Sequence, residues 1–295
     1  MIEELQEIKE IQPLGRIFFI NMSTYRDPVI KLARGILGEK IDETELHNSL
    51  MVSDIKANQS LESGSFLQII DPETKIYLPR VTDIKALVIT GSPFLVPLLV
   101  REKTKFGIEK SEKGAFLPFW QRDMIDFIKE VYGSNIPILG VCYGAEIIAE
   151  ALGGKVERMR RFVGGEWIKI AERGWSWVRN KKPEDPLMKG LPSRYLVSEN
   201  HKYEITKLPP GGVVLADNEY GVQVFRVGNA WGITYHPEKT FQDTDKLFSK
   251  EKVLEQMLRQ GLDPKEVQEL GNLYSPELMN QQLSNFLKIA SVNFQ

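Results

Sequence analysis

One cysteine in 295 residues leaves no partner for an intrachain disulfide and no thiolate set for a structural metal site. Such a chain is not a disulfide scaffold, and it fits a reducing compartment. Only three histidines, His47, His201 and His236, can supply an imidazole. Neither sign of charge dominates: 38 Lys and Arg face 40 Asp and Glu, for a net charge of −2. No basic excess points to nucleic acid or to an anionic membrane. No apolar run approaches the ~20 residues that a membrane span needs. The first residues, MIEELQEIKEIQPLG, are acidic and lack the apolar stretch of a signal peptide. The expected location is therefore cytoplasmic. No internal repeat and no low-complexity tract is visible.

What is present is ordinary globular composition, 42% hydrophobic and 26% charged, in a chain long enough to bury a large core. Ile2, Leu5, Ile8 and Ile11 recur at a short amphipathic spacing. RIFFIN (16–21) reads as a buried strand, and 25–37 as a helix closed by Gly38. LMVSDI and SFLQII read as strands, with DPETK as the turn after the second. KALVITGSP (85–93) is a strand that ends in a loop. Residues 119–132 carry helical periodicity, PILGVC is a further buried strand, and AEIIAEALGG is a helix closed by two glycines. Strands alternating with helices predict an α/β fold with a mostly parallel, flavodoxin-like central sheet flanked by helices. Beyond Gly154, short segments such as RYLVSE, GVVLADN, YGVQVFRVG and AWGITYHPE predict strands and hairpins added to that sheet. From Thr240 onward the pattern is helical. No linker divides the chain, so one domain over 1–295 is expected.

The stretch GVCYG places Cys142 between Gly140 and Gly144, where an apolar strand turns into a helix. A buried packing cysteine accounts for the residue, because free cysteine is among the most buried residue types. A nucleophile elbow accounts equally for the flanking glycines, since small neighbours are needed where the backbone turns sharply. The helix N-terminus would favour a thiolate, and the Tyr143 backbone N–H would face a forming oxyanion. A thiolate needs a base. His236 ends an apolar strand and is followed two residues on by Glu238, a spacing that suits a base and its orienting carboxylate. His47 lies in a polar stretch, and His201 in SENHKYE is ambiguous.

Taken together, GVCYGAEIIAEALGGKV, TGSP, SENHKYEITKLPPGGVVLADN, GVQVFR and YHPE, in that order, resemble the class I glutamine amidotransferases. The resemblance covers a core of about 14–245, with 39–80 and 243–275 as insertions or a lid. It implies a Cys-His-Glu catalytic triad of Cys142, His236 and Glu238. It implies an oxyanion hole built from the Tyr143 backbone N–H and the Gly91–Ser92 loop, where Ser92 stands in place of a glycine. The implied reaction cleaves the γ-carboxamide of glutamine, or a related γ-glutamyl amide, through a cysteinyl thioester, with no metal or organic cofactor. Glu146 and His201 fall at substrate-side positions. Glu146 replaces the glutamine usual in the family and is similar to the γ-glutamyl hydrolase branch, as is the continuation into Lys239. The bland alternatives are a solvated helix face for Glu146 and a hydrogen-bonded structural histidine for His201.

No phosphate-binding Gly-x-x-x-x-Gly-Lys loop is present, so any synthase would be a separate subunit. The competing expectations are a stand-alone γ-glutamyl peptide hydrolase that does not use free glutamine, and a catalytically silent binding or regulatory protein on the same scaffold.

Overall fold

The computed structural model describes residues 17–21, 50–54, 67–69, 78, 80–91 and 119–292. The expected N-terminal helix, the 25–37 helix and the DPETK turn lie outside the described residues, as do Ser92 and His47.

Five short strands come first: β1 (Ile17–Asn21), β2 (Leu50–Asp54), β3 (Leu67–Ile69), β4 (Ala86–Ile89) and β5 (Ile138–Val141). β4 and β5 are buried at every residue, which is why they read as unbroken apolar runs rather than alternating ones. Helix α1 (Phe119–Gly133) precedes β5 and buries Met124, Phe127, Ile128 and Val131, three or four residues apart on one face. Helix α2 (Tyr143–Ala151) follows β5 with a single residue between them. It ends where Gly153 takes φ +92° and Gly154 N–H donates back to the Ala149 carbonyl.

Nine further strands follow. They are β6 (Lys155–Arg158), β7 (Arg160–Val163), β8 (Glu166–Lys169), β9 (Glu172–Asn180) and β10 (Arg194–His201). Then come β11 (Tyr203–Lys207), β12 (Val213–Asn218), β13 (Gly221–Val227) and β14 (Ala230–Ile233). The chain closes with α3 (Phe241–Asp245), α4 (Glu251–Arg259), α5 (Pro264–Leu270) and α6 (Pro276–Val292).

Ten strands form one sheet in the order β10-β9-β12-β13-β14-β5-β4-β1-β2-β3, and β11 with β6 and β7 with β8 form two separate ribbons. The mostly parallel, flavodoxin-like sheet expected from the sequence is corrected here. Among the described strands six pairings are antiparallel and five are parallel. The parallel ladders are confined to the β14-β5-β4-β1-β2-β3 side. The reason is the connections: β12 to β13 and β13 to β14 are joined by two-residue links, which can only reverse the chain, whereas parallel neighbours need a crossover. The fold class is α/β with helices on both faces of a mixed sheet.

Helices α1 and α2 pack on one face with Leu87, Ile89 and Ile138. On the other face α6 lays Met279, Leu283, Phe286 and Ala290 against Val88, Leu139, Val141 and Trp231. The stretch expected as an insertion or lid at 243–275 contributes Leu247, Phe248, Val253 and Met257 to a third apolar cluster around Trp175 and Leu196. Among the described residues no helix is long and apolar enough to cross a membrane.

Candidate functional site

Cys142 joins β5 to α2 with φ 53° and ψ −110°, a conformation that side chains other than glycine rarely adopt. The expected sharp turn is there, and its neighbours have to be small. A Cβ on Gly140 would lie 2.3 Å from the Gly144 backbone, and one on Gly144 would lie 2.1 Å from the Ile89 carbonyl oxygen. The turn is held by the Cys142 N–H, which donates to the Ile233 carbonyl at 2.7 Å, and by the Ala145 and Glu146 N–H groups, which donate to the Cys142 carbonyl. Gly91, at the end of β4, closes the corner. A Cβ there would stand 3.0 Å from His236 Cε1, 3.3 Å from Cys142 Cβ and 3.8 Å from its Sγ. Gly91, Cys142 and His236 therefore meet at the carboxyl ends of three neighbouring strands.

His236 follows β14. Its N–H donates to the Ser198 carbonyl at 2.9 Å, and its Nδ1 lies 2.7 Å from Glu238 Oε1. The expected His-Glu pair forms, but through a turn, Lys239 N–H to His236 carbonyl, and not along a strand. Burial lowers the His236 pKa, the Lys239 ammonium lowers it further, and Glu238 only partly opposes them. Burial would raise the Glu238 pKa, but His236 outweighs it and the net shift is downward. A neutral His236 that donates Nδ1–H to Glu238 presents a free lone pair at Nε2.

The expected Cys-His-Glu triad and its thiolate are corrected. Burial pushes the Cys142 thiol well above its ordinary value, and Glu146 and Glu238 add to this. Lys239 and the Tyr143 backbone N–H oppose without reversing it. Among the described residues no hydrogen bond joins Cys142 Sγ to His236. The one tight constellation of ligand-type groups among them is Glu172, Glu199 and His201, which contains no cysteine. The physical reason is desolvation: a sharp turn and a helix N-terminus favour a thiolate, but full burial beside two carboxylates disfavours it more. A cysteinyl thioester, a cysteine-dependent amidohydrolase and a catalytic triad as marks of this chain accordingly fall away.

The Glu172–Glu199–His201 constellation adjoins this corner through Ser198. His201 and Glu172 are register partners on β10 and β9, and Glu199 stands two residues before His201 on the same face of its strand. Glu172 and Glu199 escaped the sequence reading. The Glu-x-His spacing within SENH was the available signal for Glu199, whereas Glu172 is brought in only by the pairing of β9 with β10. Burial raises the Glu199 pKa to about 8, and Glu172 adds to this while His201 opposes it. Burial lowers the His201 pKa, but Glu199 and Glu172 outweigh it, so the imidazole sits well above its ordinary value.

Glu146, two positions past Gly144, is 5% exposed and is not a solvated helix face. Burial pushes its pKa to about 8, with His201 opposing. His201 makes the hydrogen bond expected of a structural histidine, from Nδ1 to the Tyr203 carbonyl at 2.8 Å, and its Nε2 faces the two glutamates.

Residues 114–256 match the model of the family described as Glutamine amidotransferase class-I. That span holds Cys142, Glu146, Glu172, Glu199, His201, His236 and Glu238. Among curated proteins, the chain is 29% identical over 183 residues to a GMP synthase [glutamine-hydrolyzing] of Pyrobaculum aerophilum, covering 62% of this chain and 30% of that one. It is 27% identical over 201 residues to the protein of the same name from Staphylococcus aureus, covering 67% and 32%. The match thus spans about a third of the length of these relatives. Among solved structures, a glutamine amido transferase from Methylobacillus Flagellatus aligns with TM-score 0.62 at 16% identity, covering 96% of both chains. A glutamine amidotransferase from Thermotoga maritima aligns with TM-score 0.57 at 18% identity, covering 93% of this chain and 98% of that one. These two likenesses bear on the fold.

Proposed function

We propose that this class-I glutamine amidotransferase-like chain handles the amide nitrogen of glutamine for a separate synthetase component. The carrying observation is the His236–Glu238 pair at the corner formed by Gly91 and Cys142, inside the span that matches the family. The relatives named above carry the matched region as about a third of a longer protein, and their name describes glutamine hydrolysis coupled to a synthesis. This supports a division of labour in which the synthesis belongs to another component.

At the corner the residues offer three things. His236, neutral with Nδ1 held by Glu238, takes at Nε2 a proton from a water that adds to the amide carbon, and returns it to the departing amine as the C–N bond breaks. The Tyr143 backbone N–H, which neighbours the Cys142 sulfur, would serve in this reading as a donor to a developing oxyanion. The Lys239 ammonium puts a cation beside the corner, where an amino-acid substrate carries an α-carboxylate, and the buried Glu146 carboxyl adds a hydrogen-bonding group. Cys142, Gly91 and Tyr143 line this site in the proposal.

A docking surface is available for the synthetase. The β7–β8 hairpin exposes Phe162 at 59% and Trp167 at 69%, their rings edge-on at 5.5 Å. Large exposed aromatics of this kind are enriched at interfaces. The base of the hairpin is tied to the segment after His201, where Met159 N–H donates to the Lys202 carbonyl.

The test is ammonia release from glutamine, with the chain alone and with co-expressed synthetase candidates. The expected result is release that rises with the partner and is lost in His236→Asn. Release unchanged in His236→Asn sinks the proposal.

A further inference from the structure

Behind β10, two carboxylates and an imidazole converge without a group to neutralise them all. His201 Nε2 lies 3.2 Å from Glu172 Oε2 and 3.1 Å from Glu199 Oε2. One ligand-type atom from each of the three residues falls within 4.8 Å of the others. Glu199 is 0% exposed, and neither of its oxygens accepts a hydrogen bond. Two carboxylate oxygens withdrawn from water with no donor are a large desolvation penalty, and buried polar atoms of this kind ordinarily have a partner.

The other two residues are oriented from behind. The His201 Nδ1 bond to the Tyr203 carbonyl at 2.8 Å fixes the ring so that Nε2 faces the carboxylates. Gln223 Nε2 donates to Glu172 Oε2 at 2.9 Å, and Asn218 Nδ2 donates to Glu172 Oε1. Gln223 Nε2 also donates to Asn218 Oδ1 at 2.9 Å, and the Thr234 hydroxyl donates to Gln223 Oε1. An imidazole held by a backbone carbonyl and a carboxylate held by amides is the arrangement that surrounds ligating side chains in metalloproteins.

We propose that Glu172, Glu199 and His201 bind one divalent cation of the zinc class. Ligands about 2.0 Å from a tetrahedral zinc stand about 3.3 Å apart. The two Nε2-to-oxygen separations match that edge. The donor set, one nitrogen and carboxylate oxygens with no sulfur, suits zinc or manganese rather than copper(I). Ligation displaces the proton from His201, and the two carboxylates then carry the charge that a divalent ion cancels. Glu172, Asn218 and Tyr220 also line a cleft of about 420 Å³, which brings open space to the Glu172 side of the constellation. The bound ion would cross-link β9 to β10 one residue pair from the strand segment that receives the His236 N–H. The competing occupant is a proton on His201, which pairs with both glutamates in the same geometry.

Direct metal titration separates the two. The full-length protein is stripped with EDTA, dialysed and titrated with Zn²⁺ and, separately, with Co²⁺. The expected result is one equivalent bound with a Kd below about 10 µM. The melting temperature rises on loading, and the Co²⁺ spectrum shows d–d bands without sulfur charge transfer. Glu199→Gln, which preserves shape, is expected to weaken binding more than about 100-fold, and Gln223→Ala about 10-fold. Cys142→Ser is expected to leave it unchanged. If Glu199→Gln does not fold by far-UV circular dichroism, Glu172→Gln supplies the same reading. Absence of saturable binding, binding that persists in the glutamate variants, or binding lost in Cys142→Ser each overturns the proposal.

Discussion

Two histidines sit a few residues from one another in space, both buried and both facing glutamate, and they are driven in opposite directions. His236 meets one carboxylate, Glu238, and a nearby ammonium, Lys239, and its pKa falls. His201 meets two carboxylates and no comparable cation, and its pKa rises. Burial acts on both in the same sense, so the count and sign of the neighbours decide the outcome. The difference also sets what each can do. A neutral imidazole with a fixed tautomer can move a proton, whereas an imidazole between two carboxylates is set up to hold a positive charge.

The largest expected effect removes the first neighbourhood altogether. Gly140→Ala forces a Cβ into the Gly144 backbone, and the Cys142 turn cannot relax because Gly144 is itself against Ile89. The expected loss is more than about 4 kcal/mol of unfolding free energy, read by denaturant unfolding. A variant with wild-type stability would show that the turn is not the rigid support described.

The next break is confined to chemistry. Glu238→Gln leaves His236 without its anionic partner, and glutamine-dependent ammonia release is expected to fall on the order of 10²–10⁴-fold with the fold intact. An unchanged rate would separate the pair from the reaction.

A third prediction sharpens the contrast through Glu146, which lies between the two neighbourhoods. Its folded pKa of about 8 stands above the ordinary 4.5, so the folded state holds this proton more tightly than the unfolded chain. That contribution is complete below pH 4.5 and is lost as pH climbs toward 8. Wild type is therefore expected to lose stability over that window, and Glu146→Gln to lose less, as compared by melting temperatures at pH 5 and pH 8.5. The same substitution removes an anion that raises the Cys142 thiol, so iodoacetamide labelling at pH 8.5 is expected to speed up. Parallel melting profiles in the two proteins would contradict the buried acid.

The smallest effect touches neither histidine. Trp167→Ala is expected to leave stability within ~0.5 kcal/mol, because the side chain is exposed. Its expected consequence is weaker capture of the synthetase in a pull-down, and a large stability loss would mean that the hairpin has a structural role instead.

The sequence made much of the scaffold legible through local signals. PILGVC followed by GAEIIAEAL announces a buried strand turning into a helix, and both elements form with Cys142 between them. The two links at Glu219-Tyr220 and Gly228-Asn229 announce reversals, yet their consequence for the molecule, six antiparallel ladders among the eleven described, depends on which strands β9, β12 and β14 choose as neighbours. That choice is a long-range property. The site was legible to the same extent. Glu238 is two residues from His236, and its bond to the ring was foreseen. The ionisation of Cys142 was not, because it depends on Glu146, Glu238 and the depth of burial together. Glu172 was invisible because nothing in its own neighbourhood of sequence marks it, and only the β9–β10 ladder carries it to His201.

The seam between β5 and β14 has one more consequence, and it concerns time. The Cys142 amide is held by the Ile233 carbonyl, and His236 hangs from the strand that supplies that carbonyl. These two pieces of chain leave the ribosome far apart, with nine strands between the cysteine turn and the histidine. Strand pairings of such sequence separation form late, after local hairpins such as β12–β13 and β7–β8. The helices and the first strands can collapse around α2 while the corner has no histidine at all. A nascent or truncated chain that stops before β14 thus lacks both His236 and the strand that joins the two sides of the sheet, so the corner is completed only when β14 docks.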